Sequence, residues 1–272
     1  MTVITEKQFE EWRGAVGRQH VRSQYLDPQS ASRYAVAAGL SPDAISALVH
    51  WAWFLEAVPD TGIGPDGHPK RGVFLPDISL PRRMFASSKI EFHQPLVLER
   101  QADISIEIAD LYRKSGSQGE LVFAKVARTI TQQDTLAVRE IQTLVYRGEG
   151  DPVPLPVDKS PAGEQGDEVW TPSTVKLFRF SSVTFNSHRI HYDQQYAREV
   201  EGYPDLVVHG PYTATKLADF AARRGELASF EFRGKAPLYQ GQRVLLRQID
   251  DETVQALRCD SAVAVEAKVR YR

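Results

Sequence analysis

The chain has 272 residues, 42% of them hydrophobic, enough for one large domain or two ordinary ones around a real core. A formal charge of -2, from 33 basic and 35 acidic side chains, gives no field to attract nucleic acid or an anionic membrane, so a small partner fits better. The single Cys259 excludes an internal disulfide, no Cys/His spacing resembles a zinc site, and neither metal nor any other cofactor is expected.

From the N-terminus, Glu6, Glu10 and Glu11 stand where a secretory leader would be basic and then apolar. No apolar run approaches the roughly 18 residues that would cross a bilayer, so the expectation is a soluble, cytoplasmic protein. Leu40 to Ala57 is helical in period, and Trp51, Trp53 and Phe54 within it read as core or as the wall of an acyl pocket. Pro59 to Pro81 is rich in Gly and Pro, as if an insertion had altered that helix. Arg82 and Arg83 follow; solvated cations by default, they are also candidates for a carboxylate or phosphate. Glu91 to Leu96 leads into alternating Ile104, Ile106 and Ile108, and this half closes on Leu144-Val145-Tyr146-Arg147. Residues 149–172 hold Pro152, Pro154, Pro156, Pro161 and Pro172 among few apolar side chains, the composition of an extended linker.

The densest polar cluster comes next. Phe178 to Asp193 packs Asn186, His188 and His191 into six residues behind an apolar run, with Tyr192 and Asp193 placed to cap a following helix. In Val207-Val208-His209-Gly210-Pro211 a buried segment ends and a helix begins, because proline is tolerated in the first helical turn. Ala214, Leu217, Ala218 and Ala221 then recur at helical spacing up to Arg223-Arg224-Gly225. Four short strands follow over 230–233, 243–249, 254–258 and 262–272, the last ending on Tyr271-Arg272 as the first half ends on Tyr146-Arg147. Glu231-Phe232 also opens its sheet as Glu91-Phe92 does. Order along the chain therefore indicates two copies of one unit. The predicted architecture is α+β: two tandem hotdog units, antiparallel sheets each wrapping a central helix, fused into one continuous sheet. The units span 1–148, a degenerate copy on the acyl-pocket side, and 173–272, the catalytic copy, with 149–172 as linker.

The segment from Phe180 to His191 is similar to the signature of the MaoC-like hydratases, also called hydratase 2 enzymes: an aromatic, a short turn, then Asp-x-Asn-Pro-x-His. His191 takes the place of the motif histidine, and Val208-His209-Gly210 matches the family's oxyanion segment at the start of the central helix. TFNSHRIHYD, with Leu80 to Met84 and Gly119 to Phe123, resembles the double-hotdog subgroup, which includes itaconyl-CoA and mesaconyl-C4-CoA hydratases and the mitochondrial hydroxyacyl-thioester dehydratase type 2. The resemblance covers nearly the whole chain and implies a carbon-oxygen hydro-lyase acting on an acyl-CoA substrate. One departure bears on mechanism. Asn186 stands where the wider family has aspartate, and His188-Arg189 where it has Asn-Pro; asparagine cannot carry a proton in and out at neutral pH.

Hydration of an enoyl thioester needs a base for water and donors for the charge that gathers on the thioester oxygen. Histidine suits the first task, which makes His191 the leading base. A backbone N–H at a helix N-terminus suits the second, and since Pro211 has none, Gly210 is the donor, with Asn186 holding water or the imidazole. Arg189 beside His191 makes a second carboxylate on the acyl chain reasonable, with His188, His209, Arg82 and Arg83 as further substrate-binding candidates. For each the bland alternative is a packed or solvated side chain. The first hypothesis is hydration of a C5 dicarboxylic thioester, itaconyl-CoA or mesaconyl-C4-CoA, to citramalyl-CoA. A (3R)-hydroxyacyl-thioester dehydratase of fatty-acid metabolism and a non-catalytic acyl-thioester binding protein are the alternatives. Arg233, Lys235 and Arg243 are candidates for the phosphates of CoA, and monomer and homodimer are both open.

Overall fold

The computed structural model describes residues 4–116, 119–159 and 161–272. Helix α1 (Glu6–Arg13) opens on a capping box, in which Thr5 and Gln8 satisfy each other's backbone N–H groups. Strand β1 (Gln19–Tyr25) and helix α2 (Pro28–Ala38) follow, α2 starting on the Asp27 cap and ending where Gly39 adopts φ 87°. A long excursion then precedes β2 (Arg82–Phe92), β3 (Gln101–Gly116), β4 (Gly119–Gln132) and β5 (Thr135–Arg147).

The second half repeats this plan. Strand β6 (Glu168–Trp170) leads into α3 (Thr174–Val183), α4 (Gln194–Glu199) and α5 (Gly210–Ala222), and then into β7 (Leu227–Gly234), β8 (Val244–Asp250), β9 (Thr253–Leu257) and β10 (Val263–Tyr271). All ten strands form one antiparallel sheet in the order β1-β3-β4-β5-β2-β7-β10-β9-β8-β6. Reading outward from its centre, β2, β5, β4, β3 and β1 on one side answer to β7, β10, β9, β8 and β6 on the other. The centre is the antiparallel pair of β2 and β7, with Ile90 opposite Phe230. The chain is an α+β double hotdog, and the two copies share a continuous sheet.

Its core runs across the join. Tyr34 and Trp53 from the first copy and Tyr212, Leu217 and Phe230 from the second belong to one buried cluster. Helix α5 buries Ala214, Leu217, Ala218 and Ala221, the stripe its spacing predicts, against strands β7 to β10 of the sheet. Trp51, Trp53 and Phe54 are all buried in the same cluster.

Two expectations need correction. Leu40 to Ala57 is not a helix: it is turns and one 3-10 turn at Val49–Ala52, and the regular helices of this half, α1 and α2, both lie upstream of it. In the shared order of elements, β1 and α2 correspond to β6 and α3, so the 3-10 turn stands where the second copy has α5. The first copy has no helix there, and on its strand β5 buried Glu140 accepts from Trp51 and Ser88 with His50 3.5 Å away. The linker is also less empty than composition suggests, because β6 lies within it and pairs Val169 with Leu245 at the sheet edge.

Candidate functional site

The site is built where α3 ends. Thr184 closes that helix, Phe185 takes φ 49°, and the Asn186 side-chain oxygen accepts the His188 backbone N–H at 3.0 Å. This turn throws His188 inward, and a 3-10 turn at Arg189–His191 does the same for His191. Asp193 then caps α4 through its bond with the Tyr196 backbone, as expected from the sequence.

His191 is buried, and its Nδ1 lies 2.7 Å from the Val207 carbonyl. A carbonyl only accepts, so Nδ1 carries the hydrogen and Nε2 holds a lone pair. Burial lowers the His191 pKa to about 4, so the ring is neutral at pH 7. Its face stacks on His209 at 3.6 Å, and His209, fully buried, bonds Ser181 Oγ through Nε2. His209 is thus a packed support immediately ahead of α5. Gly210 is the first residue of that helix, so its N–H has no intrahelical acceptor. A Cβ at Gly210 would meet nothing closer than the Phe85 carbonyl at 3.8 Å, so packing alone does not demand glycine there.

The arginines divide. Arg189 is bound to the Asp193 carboxylate at 2.7 Å and to the Pro65 carbonyl, and its guanidinium lies 4.1 Å over the Tyr196 ring. In this structure the Arg189 guanidinium is thus held by partners within the fold. Arg82, buried, ties β2 to the other half through Glu201, at 3.3 Å to the carboxylate and 2.6 Å to the carbonyl. Arg83 sits close enough to help depress the pKa of both His68 and His188. Of the three it is the cation beside the imidazoles. Of the phosphate candidates, Lys235 pairs with Glu266 at 2.8 Å and Arg243 bonds the Pro161 carbonyl.

His68 and Asp66 were missed by sequence reasoning. They belong to the Gly- and Pro-rich excursion of the first copy, which crosses to the second and docks on its histidine loop. The Arg189 N–H donates to the Asp66 carbonyl at 2.9 Å, and Ser187 Oγ to that of Gly67 at 2.5 Å. Asp66 takes the His68 backbone N–H on one oxygen and stands 3.0 Å from His68 Nδ1 with the other. The His68 ring lies 3.9 Å from that of His188, which meets His191 edge-on at 5.4 Å. Four imidazoles therefore form a chain from His68 to His209. Burial, with His68 and His191 as neighbours, drives the His188 pKa far down. The only available hint was the Asp-Gly-His sequence, since glycine between two polar side chains marks a tight approach.

Donor atoms of Asp66, His68 and His188 lie within 4.8 Å of one another. The set does not fit a cation: Asp66 is already bonded twice to His68, and two rings stacked 36° from parallel do not converge their in-plane lone pairs. The arrangement is a carboxylate-imidazole pair set against further imidazoles.

Residues 48–240 match the family model described as hydroxyacyl-thioester dehydratase type 2. Mesaconyl-C(4)-CoA hydratase of Chloroflexus aurantiacus is 40% identical over 254 residues, covering 88% of this chain and 91% of that protein. The mitochondrial hydroxyacyl-thioester dehydratase type 2 of Schizosaccharomyces pombe is 24% identical over 71% of this chain and 74% of its own. Among solved structures, a MaoC-like dehydratase from Phytophthora capsici superposes with a TM-score of 0.68 at 14% identity, covering 97% of both chains. That likeness concerns the fold.

Proposed function

The chain belongs to the hydroxyacyl-thioester dehydratase type 2 family of MaoC-like enzymes, and from that membership as a hydro-lyase we propose that it hydrates a C5 dicarboxylic enoyl-CoA, mesaconyl-C4-CoA or itaconyl-CoA, to citramalyl-CoA. The observation that carries the reading is His191: buried, neutral, fixed in one tautomer by Val207, and stacked on the residue that precedes α5. Its Nε2 lone pair accepts an O–H of the attacking water as a hydrogen bond and aims the water's oxygen. The oxygen adds to the β-carbon, and electrons of the double bond move toward the thioester oxygen. Charge there is met by the Gly210 N–H, backed by the positive end of α5. Asn186 acts as a positioner, since its carbonyl holds the turn that aims His188.

Two observations favour the dicarboxylic substrate. One is the 40% identity to a protein named for mesaconyl-C(4)-CoA; the other is Arg83 beside the imidazoles, where a guanidinium would pair with a second carboxylate. The family description favours a second reading, a (3R)-hydroxyacyl-thioester dehydratase. Both share His191 and the oxyanion donor, whereas a non-catalytic binding protein would have no use for either.

A spectrophotometric panel of mesaconyl-C4-CoA, itaconyl-CoA and crotonyl-CoA separates these readings. The expected result is hydration of a dicarboxylic thioester well above crotonyl-CoA, with His191→Ala folded but at least about 100-fold slower, the scale on which a mispositioned reactant lowers the rate. Preference for crotonyl-CoA would transfer the assignment to the second reading, and near wild-type turnover in His191→Ala would remove His191 from the mechanism.

A further inference from the structure

Hydration makes a demand that His191 meets poorly. The proton released by water must rest somewhere while the C–O bond forms, and must then reach the α-carbon. An imidazolium at His191 has only the Val207 carbonyl behind it, in a buried setting that lowers its pKa to about 4. His209 is fully buried and tied to Ser181, and His188 is crowded by His68, His191 and Arg83. Asn186 does not titrate. Of the four imidazoles only His68 has a carboxylate on its far nitrogen, Asp66 at 3.0 Å, to offset a positive charge as it forms.

The placement of that pair is strongly determined. Backbone bonds from Gly64 to His68 and from Gly67 to Gly64 tighten the loop on itself, while Ser187 and Arg189 hold it from the other copy. Gly67 adopts φ 88°, and a Cβ there would stand 1.8 Å from the Ser187 carbonyl oxygen. A surface loop would need no such contact.

We propose that His68, backed by Asp66, is a second catalytic residue of this site, the group on which water's proton comes to rest. This deepens the hydratase reading and rests on it. His191 and His68 each accept one O–H of the water through Nε2, and His191 aims its oxygen. A water lone pair forms the C–O bond at the β-carbon, and the π pair of the double bond moves to an enolate facing Gly210. One O–H bond breaks and its proton passes to His68 Nε2, while Nδ1–H stays on Asp66. The enolate then takes that proton at the α-carbon, which returns His68 to neutrality. Water has been added and the enzyme is unchanged. The Gly- and Pro-rich excursion of the first copy thereby supplies the carboxylate that Asn186 does not.

The test compares wild type, Asp66→Asn, His68→Gln and Asp66→Glu on the thioester that the wild type hydrates best, with thermal melting as a check on folding. Asp66→Asn is close to isosteric and keeps the loop in place. Asp66→Asn and His68→Gln are each expected to lower kcat by roughly 100-fold or more while KM changes less than about threefold, and to slow exchange of the product α-hydrogen in D2O by a like factor. Asp66→Glu, which retains the charge, should recover part of the rate. If both kcat values stay within about fivefold of wild type, or if chelator abolishes wild-type activity and zinc restores it, the proposal falls and the hydratase reading stands. A wild type that turns over no thioester overturns both.

Discussion

At the scale of single residues, the site keeps imidazoles neutral by burying them, and this should be measurable as acid sensitivity. In the unfolded chain His191 titrates near 6.5, while in the fold burial lowers it to about 4. His209 and His188 are driven further down, again chiefly by burial. A depressed histidine contributes stability that is complete above its unfolded pKa and is lost as pH falls through the folded one. For His191 alone the window runs from 6.5 to about 4 and spans on the order of 3 kcal/mol. Carboxylates interfere little there. Burial would raise Glu140, yet His50 and Arg128 outweigh it and hold it at about 2. Asp219, raised by burial to about 6, and Glu201, also raised chiefly by burial, work in the opposite direction, but they are two groups against His191, His188, His209 and His68. The melting temperature should therefore fall steadily from pH 7 to pH 4, and His191→Asn should flatten part of that slope. Melting that is level across this range would show that the imidazoles do not resist protonation.

At the scale of elements, the loop over 64–68 is as much a part of the site as α5. Their glycines differ in kind. At Gly210 a methyl group has room, whereas at Gly67 it would collide with backbone in a left-handed conformation that other residues rarely adopt. Gly67→Ala should lift the loop from Ser187, lowering stability by about 1–3 kcal/mol in melting experiments and slowing hydration by carrying His68 away. Unchanged melting and turnover would mean that the docking is dispensable. What could be read in the sequence follows from locality. Helix α5 announced itself because Ala214, Leu217, Ala218 and Ala221 mark one face within three turns, and the strands of the second copy because turn residues separate them. The Asn186, His188 and His191 cluster was legible because one turn holds all three. Asp66 and His68 were not, since their partners lie some 120 positions away and no periodicity connects such distant residues. The partners of Arg189 were hidden for a similar reason: adjacency to a histidine says nothing of Asp193 one helical turn further on. The apparent helix over 40–57 failed because its apolar residues serve a core built by both copies.

At the scale of the molecule, the two copies behave as one body. Strands β2 and β7 close the sheet against each other, so separation would bare two long central edges. Buried polar groups also cross the join. The Tyr34 hydroxyl meets Thr215 Oγ1 at 2.7 Å, Asp219 accepts from Ser46 and from the Ala47 N–H, and Lys216 reaches the Ala38 carbonyl at 3.2 Å. Asp219 would lose both donors, at roughly 1–3 kcal/mol each, while Thr215 and Lys216 would keep only the Pro211 carbonyl and Glu168. Residues 149–272 contain His191 and Gly210, yet without the first copy they lack the partner of β7, the groups that satisfy Asp219, and the loop that carries His68. Expressed alone, this half should aggregate and hydrate nothing. Expressed together with residues 1–148 as a separate chain, it should recover hydration, because the break would fall in the extended segment before β6 rather than in the sheet. The intact protein should melt in a single transition reported alike by far- and near-ultraviolet circular dichroism. Two resolved transitions, or a soluble and active second half, would show that the copies are independent domains and that the first is no part of the catalytic unit.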